Sequence, residues 1–478
     1  MNWFRVKLYK PTLILLATVL LATVYFSQNR LNKDRATMGL TRLTPLENAP
    51  PVLAFTTVAL GGFRGLIANM LWIRATDLQD ENKYFEMVQL ADWITKLQPH
   101  FVTVWVHQAW NMAYNISVKF SDPHDRWLWV QRGIELLRDQ GIKYNPQEPL
   151  LYRELAWFFQ HKMGADLDDA HGTYKQAWKD EMQQVVPTGL ANYDELLNPQ
   201  TGDAKERVRL LREKYKMEPQ QMKKVDGQYG PLDWRMPETQ AIYWAMLGLD
   251  RARKEDLIVL RRVIYQSLQL AFQRGRFIEN KAEGLLEYSP NLDIIPNASR
   301  AYEEMMEQDA EMRDHIKTGH RNFLKTAVYF LYTHNRLADS AKWFRYLKEK
   351  YPGAVPPGQT LDDYAVEQVM VDVGETSHIK VQSALEGFLI NSFYNLAIGE
   401  DELAVGYNNL ALKVWQRFQM KTEQSKDRVG LPPFEKIRQE VKERVLDPKN
   451  EILSPILIKQ LMTSLGIAPS TNAPVAPP

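Results

Sequence analysis

The chain has 478 residues, with 59 Lys and Arg against 58 Asp and Glu, and 45% of it is hydrophobic. Such proportions exclude a wholly disordered, collagen-like or multi-span membrane chain, and the near-neutral balance leaves no general basic field to attract nucleic acid. Cysteine is absent, which excludes disulfides, thiolate nucleophiles and Cys-ligated zinc or iron–sulfur clusters and fits an extracytoplasmic protein.

Residues 1–10 form a basic tail with Arg5, Lys7 and Lys10. Nineteen uncharged residues then separate Lys10 from Arg30, and Leu13 to Phe26 are almost wholly apolar. As a helix, residues 11–29 reach about 28 Å, close to a hydrocarbon core of about 30 Å. Tyr25 and Phe26 stand where interfacial aromatic anchors are expected. A cleaved signal peptide is the competing reading. The apolar run exceeds the usual length of about 7–15 residues for such a segment, and no clear cleavage site follows it. The expectation is a retained single-pass anchor, with the basic tail in the cytoplasm and the body outside it, in the periplasm. The next apolar stretch, Leu53 to Ile73, is interrupted by Arg64 and Asn69 and reads as a packed helix.

Residues 30–54 are polar, carry Pro45 and Pro50, and read as a tether. From 55 onward apolar residues recur at three and four, which predicts an all-α body. Helical repeats are expected over 55–186 and 237–466. An irregular insertion with one helix near 203–216 is expected at 187–236. The tail 467–478 is rich in Pro and Ala and is expected to be disordered. Breakers at Pro99, Pro146, Pro187, Pro219, Pro231 and Pro352 separate the helices.

Within this pattern Trp105, Ala109 and Met112 place a large, a small and a large residue, starting six residues after Pro99. Tyr152, Leu155, Ala156 and Phe159 repeat the arrangement six residues after Pro146. Trp244, Leu247 and Gly248 form W-x-x-L-G. Leu324, Ala327 and Leu331, followed by Ser340, Phe344, Leu347 and Pro352, make a nearly complete unit; Phe388, Ser392, Ala404 and Ala411 suggest another. The pattern resembles the tetratricopeptide repeat, and the whole chain is similar to an uncharacterised group of membrane-anchored tetratricopeptide-like proteins of bacteria. It departs from the family at Arg251, where an aromatic is usual, and at Val328, where a small residue is usual. Pro99 and Pro146 are also 47 residues apart, where the family period is 34.

The resemblance implies a diverged array of antiparallel helix pairs, an α-solenoid, whose first helices line a concave groove. On that geometry Val106, Trp110 and Tyr114 face the groove in one unit, Arg153, Trp157, Gln160 and His161 in the next, and Lys325, Tyr329 and Tyr332 in a later one. Aromatic and basic side chains together suit an extended peptide or acidic tail.

Chemical motifs are sparse. His315 and His320 are five apart and do not share a helix face as an i, i+4 metal pair would. Asp168, Asp169 and His171 lie near a helix start, where Asp more often caps. Gly61-Gly62-Phe63-Arg64-Gly65 lacks the spacing of a dinucleotide or phosphate loop. Asn111 and Asn115 suggest bonds across units or a place on the groove, and Lys205 to Lys216 a solvated helix face. Neither metal nor cofactor is expected. Two function classes stand: an anchored scaffold that binds protein or peptide partners within an envelope assembly, or a cell-envelope enzyme acting on glycan at an acidic site enclosed by helices.

Overall fold

A computed structural model of the chain describes residues 2–37, 63–280, 285–373, 378–423 and 431–467. The expected tether beyond Thr37, Gly61-Gly62 and the tail beyond Ile467 lie outside the described residues. The chain divides into two compact units, residues 1–74 with 96–98, and residues 75–95 with 99–478.

The first unit contains α1 (Asn2–Thr37). Its stretch Leu13–Leu31 is long and apolar enough to cross a membrane and is fully exposed. The polar groups in this stretch are satisfied locally: Thr18 Oγ1 donates to Ile14 O and Thr23 Oγ1 to Val19 O, both at 2.8 Å. A helix bound for hydrocarbon needs such internal pairing. Next comes α2 (Phe63–Asp80).

The second unit is mostly helical. After α3 (Tyr84–Leu97) come α4 (Val102–Trp110), α5 (Pro123–Glu135) and α6 (Pro149–Trp157). Each of these three runs without a break into a π-helical turn: Asn111–Ile116, Leu136–Gly141 and Phe158–Gly164. Then follow α7 (His171–Gln183), α8 (Tyr193–Leu197), α9 (Gly202–Glu213) and α10 (Pro219–Tyr229). Three helices thus stand where one was expected. The segment 187–236 is not an irregular insertion, because Leu211, Met222, Val225, Leu232 and Trp234 are buried in the main core. Pro219 opens a helix rather than closing one, as do Pro123, Pro149 and Pro237: at N1 no amide hydrogen is needed and φ is already helical.

The central helix is α11 (Pro237–Leu249), buried on nearly every face and packed between α6 and α12 (Lys254–Arg274). An antiparallel hairpin follows, β1 (Arg276–Asn280) and β2 (Leu285–Ser289), with Arg276 opposite Ser289; it departs from the all-α expectation. The remaining helices are α13 (Ile295–Gln308), α14 (Arg313–Thr333), α15 (Leu337–Lys350), α16 (Leu361–Val373), α17 (His378–Ile398), α18 (Asp401–Glu423), α19 (Phe434–Leu446) and α20 (Pro455–Ser464). Sequence neighbours pack together: α11 with α12, α13 with α14, α14 with α15, α17 with α18. One core extends from Trp105 to Tyr364, and a second from Tyr332 to Leu461.

The recurrence after Pro99 and Pro146 has a physical basis. Trp105 Nε1 donates to Pro99 O at 2.9 Å, and Tyr152 OH donates to Pro146 O at 3.0 Å. In both places a buried aromatic reaches back six residues and satisfies the proline carbonyl. Arg251, in an expected aromatic position, lies 4.8 Å over the Tyr152 ring and donates to the same Pro146 carbonyl at 2.7 Å. Gly248 lets three helices meet, since a Cβ there would lie 3.1 Å from Tyr152 Cβ and 2.9 Å from Leu260 Cδ2. Trp105, Ala109, Tyr152, Leu155, Ala156, Phe159, Trp244, Leu324, Ala327, Leu331 and Phe344 are buried. Met112 and Leu247 are half-buried, and Pro352 is exposed just past α15.

Candidate partner-binding site

The site grows from one buried acid. Glu154 sits on α6, and its carboxylate accepts from Trp110 Nε1 at 2.7 Å and from Arg153 Nε at 2.9 Å. It holds an indole and a guanidinium in fixed positions, which lowers the ordering cost of presenting both. Trp110 stacks on Tyr114 with centroids 4.2 Å apart, and Trp157 stacks on His161 at 4.6 Å. Tyr114 OH and His161 Nδ1, 3.2 Å apart, join the two stacks. Burial lowers the pKa of His161, with Lys162 adding to the effect, so the ring is neutral at physiological pH. Burial raises that of the Tyr114 phenol.

Trp110, Arg153, Glu154 and Trp157 form one wall of a pocket of about 270 Å³; Val259, Arg262, Val263 and Gln266 of α12 form the other. Residues 259, 262 and 266 are three and four apart and share a helix face. Arg262 also lines a second pocket of about 140 Å³ with Ile258, Tyr265 and His315. Arg261 and Tyr265 link that pocket to a third, of about 260 Å³, beside Tyr229 and Glu304. The exposed side of α12 is thus a ridge with hollows on both flanks. Among the described residues neither Arg261 nor Arg262 makes an ion pair, whereas Arg153 is tied to Glu154.

Of the expected groove residues, Trp110, Arg153 and Trp157 line the first pocket, with Tyr114 and His161 stacked behind them. Val106 packs half-buried against the main core. Two expectations are corrected. Gln160 is buried, donating from Nε2 to Val263 O and Ser267 Oγ, both at 3.0 Å, because the π turn at Phe158–Gly164 rotates it inward. Tyr332 is buried beneath α16 and donates to Asp362 Oδ1 at 2.7 Å. Lys325 and Tyr329 share α14 with Tyr332, away from the α12 ridge; Tyr329 packs against the second core. The sequence reading missed Glu154, Val259, Arg262 and Gln266. The available signal was an acid directly beside Arg153, and an Arg-Arg pair on an amphipathic helix.

The Asp168 and His171 region is a charge lattice. Asp168 pairs with Lys162 and Arg126, and Asp166 pairs with Lys175 at 2.7 Å, with His171 at 3.1 Å and with Arg274. Lys162, Lys175, Arg126 and Arg274 thus neutralise both carboxylates, and no group of His, Asp and Glu suited to a metal occurs among the described residues. Glu238 is fully buried, its carboxylate 3.7 Å from Arg274 Nε, and burial raises its pKa. It lines none of the three hollows around α12.

No family model, curated protein or solved structure matches the chain.

Proposed function

We propose that the chain is a membrane-anchored helical scaffold whose body, a diverged tetratricopeptide-like array, binds an extended acidic segment of a protein partner along α12. The basic residues Arg5, Lys7 and Lys10 ahead of the apolar stretch of α1 support a body outside the cytoplasm, and the partner is then a component of an envelope assembly. One observation carries the reading. Among the described residues Arg262 has no acidic partner, and it lies between two hollows, beside an indole wall that Glu154 already holds in place. Such a cation discriminates charge, and the aromatic wall supplies most of the contact area.

The test uses the full chain in detergent and two fluorescent peptides, one alternating Glu with Leu or Phe, the other with Lys in place of every Glu. The acidic peptide should bind at least about tenfold more tightly, a difference of about 1.4 kcal/mol. Arg262→Glu should remove the preference, and Trp157→Ala should weaken the acidic peptide by about 1–3 kcal/mol. Equal affinity for both peptides, or full binding by both variants, would overturn the reading.

A further inference from the structure

We infer that a second surface, built by the start of α3, the turn at 118–120 and the outer side of α5, seats in the headgroup region of a lipid bilayer. It is independent of the α12 ridge. Phe85, Leu128 and Val118 are 54%, 51% and 46% exposed, so a folded unit with two large cores leaves three apolar side chains in water here. Phe85 is not isolated. The Phe85 ring meets Trp129 edge-on at 5.5 Å and Phe120 edge-on at 6.2 Å, and Phe120 stacks against Trp129 at 6.3 Å. An exposed ring continuous with two half-buried ones is an apolar patch of the kind that marks an interaction surface.

Two features point to lipid. First, cations lie over the aromatic rings. Arg132 is 4.8 Å from the centroid of Trp129, and Lys119 is 5.4 Å from that of Tyr84. Rings at the boundary between apolar and polar layers, with basic side chains reaching past them to phosphates, are the usual anchors at a bilayer interface. Second, the same chain carries α1. The 25 residues at 38–62 that connect α1 to α2 extend at most about 90 Å at roughly 3.3–3.6 Å each. The bilayer that takes α1 is therefore always within reach of the second unit, and its effective concentration is high enough for a small apolar patch to seat. Glu86 and Asp125, also exposed here, offset Lys119 and Arg132. The seating is therefore apolar, and an uncharged lipid surface suffices.

The absence of cysteine makes the test direct. Phe85→Cys, Leu128→Cys and Glu349→Cys, the last on the exposed face of α15, are each labelled with an environment-sensitive fluorophore. Each full chain is reconstituted in phosphatidylcholine vesicles after circular dichroism has shown unchanged helix content. At 85 and 128 the emission should shift to the blue and be quenched by lipids spin-labelled near the headgroup; at 349 neither should occur. Labels at 85 and 128 that report water, as the one at 349 does, would overturn the proposal. So would quenching equal at all three positions.

Discussion

Two stretches of the second unit share one sequence pattern and meet solvent differently. Between Pro99 and Gly164 each of α4, α5 and α6 widens into a π turn. From α14 to α18 the described helices stay α. In the first stretch the bond pattern changes from i→i+4 to i→i+5, so side chains past the junction rotate away from their α positions. Gln160 and Lys162 turn into the core, while Trp110 and Trp157, on the preceding α turns, remain at the rim of a hollow. The second stretch is regular, and its helix pairs are bonded across their seams. Ser340 Oγ donates to Val328 O, and Ser392 Oγ to Ala404 O, each at 2.8 Å across a helix pair. The face that would carry a groove there is covered, since α16 lies on Tyr332. The π turns thus set the indole rim of the first hollow, with Trp110 and Trp157 on the α turns just before them.

The comparison can be broken most directly at Phe158, which is fully buried in a π turn with its ring edge-on to Trp110 at 6.2 Å and Tyr114 at 5.7 Å. Phe158→Ala should cost about 3–5 kcal/mol in urea unfolding and also abolish peptide binding. Leu385→Ala, equally buried in α17, should cost about 2–5 kcal/mol and leave binding per folded molecule unchanged. Loss of binding in both variants would mean that the two stretches are not separable.

The next effect depends on pH and belongs to the regular stretch. His320 is fully buried between Ser299 and Tyr351, and burial pushes its pKa down to about 4 from 6.5. Below pH 6.5 the unfolded chain takes up a proton that the folded chain refuses until about pH 4. Stability from this group is therefore complete above pH 6.5 and falls through that window, by up to about 3 kcal/mol. Unfolding free energies of wild type and His320→Gln measured from pH 7 to 4 should diverge least at pH 4. His161→Gln, at a half-exposed ring in the π stretch, should change the slope less.

Smaller again is Gly406→Ala in α18. Its Cβ would stand 1.6 Å from Thr333 O, so α18 must move off the end of α14, at about 1–3 kcal/mol. A melting temperature equal to wild type would contradict that close approach. The smallest stability change is expected for Arg262→Ala, within about 0.5 kcal/mol because the side chain is exposed and makes no ion pair among the described residues. Its signature is in binding: affinity for the acidic peptide should fall, whereas Lys325→Ala on α14 should leave it unchanged.

Local chemistry in the sequence already determined the helical class and the apolar stretch able to cross a membrane, while its prolines marked helix boundaries without fixing on which side the helix lay. Each depends on residues within a turn or two: an uncharged run of sufficient length, spacing at three and four, and prolines where an amide is not needed. Tertiary structure decided the rest. Spacing alone could not show that three helices switch to π turns, since that register is chosen by what packs against it. Nor could it show that Glu154, Lys162, Lys175 and Glu238 are buried. Charged residues normally remain in water, and these enter the interior where partners lie beside them, Trp110 and Arg274 from other helices and Asp166 and Asp168 from the loop before α7. The hollow itself has one wall at residues 110–157 and the other at 259–266. A site made from two faces about a hundred residues apart exists only once α11 has packed between α6 and α12.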